Sequence, residues 1–153
     1  MPPSQRSVYA KTSRFAVSLG ALGGFHADPR ALATLTPPPI FAQLLRDERR
    51  SLTEGEVEFR LWLGPLPLTW LARHEPGPNP DSFADLQVRG PLAYWRHEHI
   101  FREAPGGVEL TDRVTLAHKP GLRGIFTRLV FDGLPLRILF AYRHWRTGRA
   151  LRK

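Results

Sequence analysis

The chain has 153 residues, a formal net charge of +8, 42% hydrophobic residues and no cysteine. That length and apolar share fit a single packed domain over residues 1–153 and argue against wholesale disorder. The lack of thiols excludes disulfides, thiolate catalysis and Cys-ligated zinc or iron–sulfur sites.

Residues 1–14 contain no apolar h-region, so no secretory signal is expected. Residues 7–17 read as a strand. Two short helical segments follow over 19–27 and 28–35, the second with Asp28 as N-cap and Pro29 in its first turn. Pro37-Pro38-Pro39 is a stiff connector. In 56–63, Val57, Phe59, Leu61 and Leu63 alternate with Glu56, Glu58, Arg60 and Trp62, the period of a half-buried strand. Gly64-Pro65 turns the chain into 66–73, with Leu66, Leu68, Trp70 and Ala72 on one face. Trp62 and Leu71 then read as single exposed apolar residues. EPGPNP at 75–80 is a loop. Strands follow over 83–89, 93–103 and 108–119, separated by Gly90-Pro91 and Pro105-Gly106-Gly107, which describes an antiparallel meander.

The C-terminal part changes period. Residues 122–131 and 136–145 carry helical apolar spacing, and Pro135 either kinks this region or begins a fresh helix at 133–135. Residues 136–142 are apolar almost all round, which predicts burial on more than one side. Arg123, Arg128, Asp132 and Arg137 interrupt the longest apolar stretch, and a membrane span needs about 20 mostly apolar residues. The expectation is a cytoplasmic protein with no membrane span. Residues 121–153 hold eight basic residues, Lys153 among them, against Asp132 alone. This end therefore carries +7 of the +8. A basic end attracts nucleic acid or an anionic membrane. No helix-turn-helix, RNP-like run or Gly-rich phosphate loop accompanies it, so nucleic acid is not the expected partner.

The predicted order is β-α-α-β(5-6)-α. With it, LTPPP at 35–39, FADLQVRGPLAYWRHEHIF at 83–101, GGVELTDRVTL at 106–116 and LFAYRH at 139–144 make the chain resemble the START-like superfamily. That superfamily is also called SRPBCC, or the polyketide cyclase/dehydrase-like group, and the likeness is to a bacterial ligand-binding branch. The resemblance implies an α+β helix-grip fold, a curved antiparallel sheet wrapped around a long C-terminal helix with a cavity between them. It brings no catalytic residue set and no cofactor.

Parity assigns the facing of the two most regular strands. In 93–103, Tyr94, Arg96, Glu98, Ile100 and Arg102 face water, so Trp95, His97, His99 and Phe101 face inward. In 108–119, Val108, Leu110, Asp112, Val114, Leu116 and His118 face inward. A tight turn over Pro105-Gly106, or a four-residue loop over 104–107, pairs Glu103 with Val108 in either case, which sets Phe101 opposite Leu110, His99 opposite Asp112, His97 opposite Val114 and Trp95 opposite Leu116. Opposed Cβ atoms are about 5 Å apart, within hydrogen-bond reach for His99 and Asp112. A two- or four-residue turn at Gly90-Pro91 points Asp85 and Gln87 outward, whereas a three-residue turn points them inward near His97.

The His–Asp couple has four readings: a satisfied buried pair that fixes register, a ligand-orienting group, a general acid/base, or a metal site built from His97, His99 and Asp112. HxH on a strand is a weak metal signal, and no metal is expected. The main functional expectation is non-catalytic binding of a small, mostly apolar ligand such as a lipid, isoprenoid or polyketide-like molecule. Trp95, Phe101, Leu110, Val114, Leu116, Leu139 and Phe140 would form the wall. His97, His99 and Asp112 would orient the polar end, with Arg143 at the mouth. The alternatives are a cyclase/dehydratase-type enzyme using His99 and Asp112, and a basic surface adaptor. His26, His74 and His144 read as surface residues.

Overall fold

A computed structural model describes residues 5–152; Lys153 of the basic end and residues 1–4 lie outside it. The elements are β1 (Ser7–Phe15), α1 (Leu19–Ala27), α2 (Ala31–Thr34), β2 (Phe41–Asp47), β3 (Gly55–Leu63), β4 (Leu66–Pro76), β5 (Phe83–Arg89), β6 (Tyr94–Ala104), β7 (Gly107–Ala117), α3 (Leu122–Phe131) and α4 (Gly133–Leu151). The seven strands form one antiparallel sheet in the order β1-β7-β6-β5-β4-β3-β2. It curves around the C-terminal helix in the helix-grip arrangement.

The β6–β7 hairpin has the register that parity predicts, with Glu103 opposite Val108, Phe101 opposite Leu110 and His99 opposite Asp112. Its two-residue turn over Pro105-Gly106 needs a left-handed residue at the second position, which Gly106 supplies at φ 79°. The alternating burial of β7 follows directly: Val108, Leu110, Asp112, Val114 and Leu116 are buried and the residues between them are not, the alternation ending at buried Ala117.

Four expectations change. First, β2 is an additional edge strand that pairs with β3; its Phe41, Leu44 and Leu45 do not alternate and are exposed, so no period marked it. Second, the second helix is shorter than 28–35. Asp28 accepts from the Arg30 backbone N–H ahead of it rather than capping a longer helix. Third, Leu71 is buried at 6% exposure. A bulge between Leu71 and Ala72 shifts the β4–β5 register and breaks the strict alternation. Fourth, the apolar stretch of α4 is covered on one side only: Leu136 and Phe140 are buried, but Ile138 is 56% exposed. Pro135 falls in the first turn of α4, where a missing N–H costs nothing. The helix starts afresh at Gly133, whose N–H is taken by the Asp132 carboxylate.

One core unit packs Leu136 and Phe140 of α4 and Phe131 of α3 on Trp70, Trp95, Val114 and Leu116. A second packs Leu22 of α1 on Phe83, Phe101, Val108 and Leu110. The gap between these units and the β2–β3 side of the sheet is where the site lies.

Candidate functional site

A cavity of about 420 Å³ opens between the sheet and the helices. Phe59 and Trp70, stacked with ring centroids 5.8 Å apart, form much of its apolar wall together with Trp95, Phe131 and Leu139. Of the sequence-predicted wall, Trp95 and Leu139 line the space. Phe101, Leu110, Val114, Leu116 and Phe140 do not; they are spent in the two core units beside it.

The polar end is built from three adjacent strands and two helices. Asp85 of β5 stands opposite His97 of β6, so the turn at Gly90-Pro91 has the inward parity. The Gln87 amide bridges that turn, donating to the Leu92 carbonyl at 2.8 Å and accepting from the Leu92 N–H at 3.0 Å. Asp85, His97 and His99 line the cavity, and Asp112 lies behind them. Asp112 Oδ1 is 2.7 Å from His97 Nε2, and its Oδ2 is 2.6 Å from His144 Nε2. The Ser13 hydroxyl holds the other His144 nitrogen at 2.6 Å. His99 is directly across from Asp112 yet bonds elsewhere, with Nε2 2.8 Å from Asp85 Oδ2. Its Nδ1 is 3.3 Å from Asp112 Oδ1 but off the hydrogen-bond direction. It is the one fully enclosed side-chain nitrogen or oxygen without a hydrogen bond among the described residues.

Three histidines expected at the surface are not there. His144 is buried on the α4 face that also carries Leu136, Phe140 and Thr147. That i, i+4, i+8 stripe was the available signal. His26 lies one turn after buried Leu22 on α1, bonds the Leu22 carbonyl, and presents its ring to His99 at 5.4 Å. His74 lines the cavity, stacks on Phe83 and bonds the Leu52 carbonyl.

Burial and charge divide these groups. For His99, burial opposes the imidazolium, but contacts to Asp112 and Asp85 outweigh it and raise the pKa to about 9. For His26, burial and then the His99 charge lower it to about 3. Burial and the same charge push His97 down. Burial raises both carboxylates, yet the surrounding imidazoles dominate and hold Asp85 and Asp112 below the ordinary range. The floor therefore favours charge on the two carboxylates and on His99 and disfavours it on His97 and His26. Arg143 adds a cation. It lines the cavity, lies over the Phe140 ring at 5.5 Å and donates to the Leu35 carbonyl. Arg146 likewise donates to the Thr34 carbonyl, so two arginines of the basic end are tied to α2. Among the described residues no helix is long and apolar enough to cross a membrane.

No protein-family profile matches the sequence, and no curated protein matches it. Solved structures do. A START superfamily protein from Mycobacterium smegmatis superposes with TM-score 0.68 at 10% identity, over 94% of this chain and 96% of that one. The Zhui aromatase/cyclase from Streptomyces sp. R1128 gives 0.61 at 15% identity, over 96% and 92%. A nucleoside-diphosphate sugar epimerase from Corynebacterium glutamicum gives 0.68 at 26% identity, over 94% of this chain but 29% of that one. The chain thus has the START/SRPBCC-like fold.

Proposed function

We propose that the protein binds a small, mostly apolar ligand, of lipid, isoprenoid or polyketide-like chemistry, in the cavity between sheet and C-terminal helix. The supporting observation is the cavity itself: about 420 Å³, apolar along its walls and polar at one end. Small-molecule sites occupy about 300–1,000 Å³ and combine apolar walls with a few convergent polar groups. Each 40 Å² of apolar ligand surface removed from water contributes about 1 kcal/mol. The two carboxylates disfavour an anionic head at the floor. His97 Nδ1 offers an acceptor and Arg143 a donor, which suits a hydroxyl or carbonyl.

Native mass spectrometry of the purified protein, followed by displacement of a bound apolar fluorophore, tests this. The expected result is a small-molecule adduct, or fluorophore binding, that Ala72→Phe abolishes by filling the space. Absence of both in the folded wild-type protein overturns the reading.

The enzyme reading draws on one observation. His99, held protonated between two carboxylates, is an acid facing the cavity, as a cyclase or dehydratase step would use. It is not a base at neutral pH. Turnover of a polyketide-like substrate that is lost in His99→Gln, with the fold intact, would favour this reading over pure binding.

A further inference from the structure

Three donor atoms converge on the cavity floor. Asp85 Oδ2 lies 2.8 Å from His99 Nε2 and 3.7 Å from His97 Nδ1. Asp85, His97 and His99 each place a donor atom within 4.8 Å of the other two. Ligand atoms about 2.0–2.1 Å from a tetrahedral zinc ion are about 3.3–3.4 Å apart, so the two observed separations bracket the spacing a metal requires.

The rings are aimed from behind. Asp112 Oδ1 receives His97 Nε2–H at 2.7 Å and stands 3.3 Å from His99 Nδ1, while its second oxygen is fixed by His144. A carboxylate on the far nitrogen, as Asp112 is for His97, is the arrangement that orients a metal-bound histidine and sets its tautomer; His99 Nδ1 lies near the same oxygen without a hydrogen bond to it. His97 Nδ1 and His99 Nε2 face Asp85 as lone-pair donors. His97 is only 3% exposed, yet its Nδ1 makes no hydrogen bond among the described residues. Three electron-pair donors facing one another need a shared cation. In the metal-free chain the 2.8 Å hydrogen bond between His99 Nε2 and Asp85 Oδ2 occupies that place.

We propose that Asp85, His97 and His99 bind a divalent transition-metal ion of the zinc or iron(II) class, with Asp112 as the orienting carboxylate and further coordination positions open to the cavity. Two imidazoles and one carboxylate suit such ions better than calcium or magnesium, which prefer oxygen ligands. Asp112, which strand parity pairs with His99, is behind the site rather than in it, because it does not line the cavity. The inference rests on donor geometry and does not depend on what organic ligand the cavity takes.

Chelator-treated full-length protein titrated with Co²⁺, then Zn²⁺, tests it. One Co²⁺ per chain with visible d–d absorption, displaced by Zn²⁺, is the expected result. Asp85→Asn should weaken binding by more than about 100-fold and Asp112→Asn by about 10–100-fold. His118→Gln, at a ring that contacts Thr127 and Asp132 instead, should leave it unchanged. Circular dichroism checks that each variant is folded. Independently of any variant, ¹⁵N resonances of the wild type should move at His97 Nδ1 and His99 Nε2 on Zn²⁺ addition. Failure of folded wild-type protein to take up either ion, equal uptake by folded Asp85→Asn, or ¹⁵N shifts confined to other histidines overturns the proposal.

Discussion

The two ends of the cavity are held by different physics. At the apolar end, Phe59, Trp70, Trp95 and Leu139 contribute through area and shape, so any one contact can be exchanged for a similar one. At the polar end, each group depends on a named partner. Asp112 serves His97, His144 and, more loosely, His99, and Ser13 completes the chain. Two neighbouring rings, His26 and His99, take opposite protonation states because one lacks a carboxylate partner and the other has two nearby. The apolar wall therefore tolerates change, whereas the floor transmits it.

Breaking the floor should cost most. Asp112→Ala leaves two buried imidazoles, His97 and His144, without their common acceptor, and the loss expected on removing one partner of a buried charged network is about 3–5 kcal/mol. Urea denaturation measures it, and a loss below about 1 kcal/mol would show that the network contributes little. On the wall, Leu139→Ala should cost about 1–2 kcal/mol. This is less than a fully packed leucine costs, because Leu139 already borders empty space. The same change should alter ligand retention more than it alters stability, which paired melting and native mass spectra resolve.

Acidity separates the two rings within the floor. His99 has a folded-state pKa of about 9, above the ordinary 6.5. Its stabilisation is full below pH 6.5 and disappears as pH rises through 9. His26 is lowered to about 3, so its stabilisation is present above pH 6.5 and is lost as pH falls toward 3. In metal-free protein, His99→Gln should flatten the alkaline limb of the stability–pH curve and His26→Phe the acid limb. Unchanged limbs in melting series across pH would contradict the assignment. The smallest effect is expected for Ser13→Ala, which removes one hydrogen bond to His144 and should cost about 1 kcal/mol. That loss should vanish in an Asp112→Ala background if the chain acts as a unit, as a double-mutant cycle would show.

The β6–β7 hairpin was legible because everything that sets it is local: alternation at period two, a short turn, and a glycine where φ must be positive. The start of α4 was legible in part for the same reason, since Pro135 is tolerated only in a first turn. Asp85 was not, because the inward or outward choice depended on one residue of turn length, which Gln87 fixes by bonding Leu92 across the loop. Nor was the true partner of His99. Parity puts it opposite Asp112, but the ring reaches sideways to the adjacent strand.

Composition and periodicity determined by themselves that this chain would form an antiparallel sheet closed by a terminal helix, with imidazoles and a carboxylate on its inner face. Only the tertiary structure decided which of those groups meet. His26 and His144 reach the floor on α1 and α4, near opposite ends of the chain, and Asp85 arrives from a neighbouring strand. Local pattern fixes which face a side chain takes. The partner it finds there depends on how distant elements pack, and no short stretch of sequence encodes that.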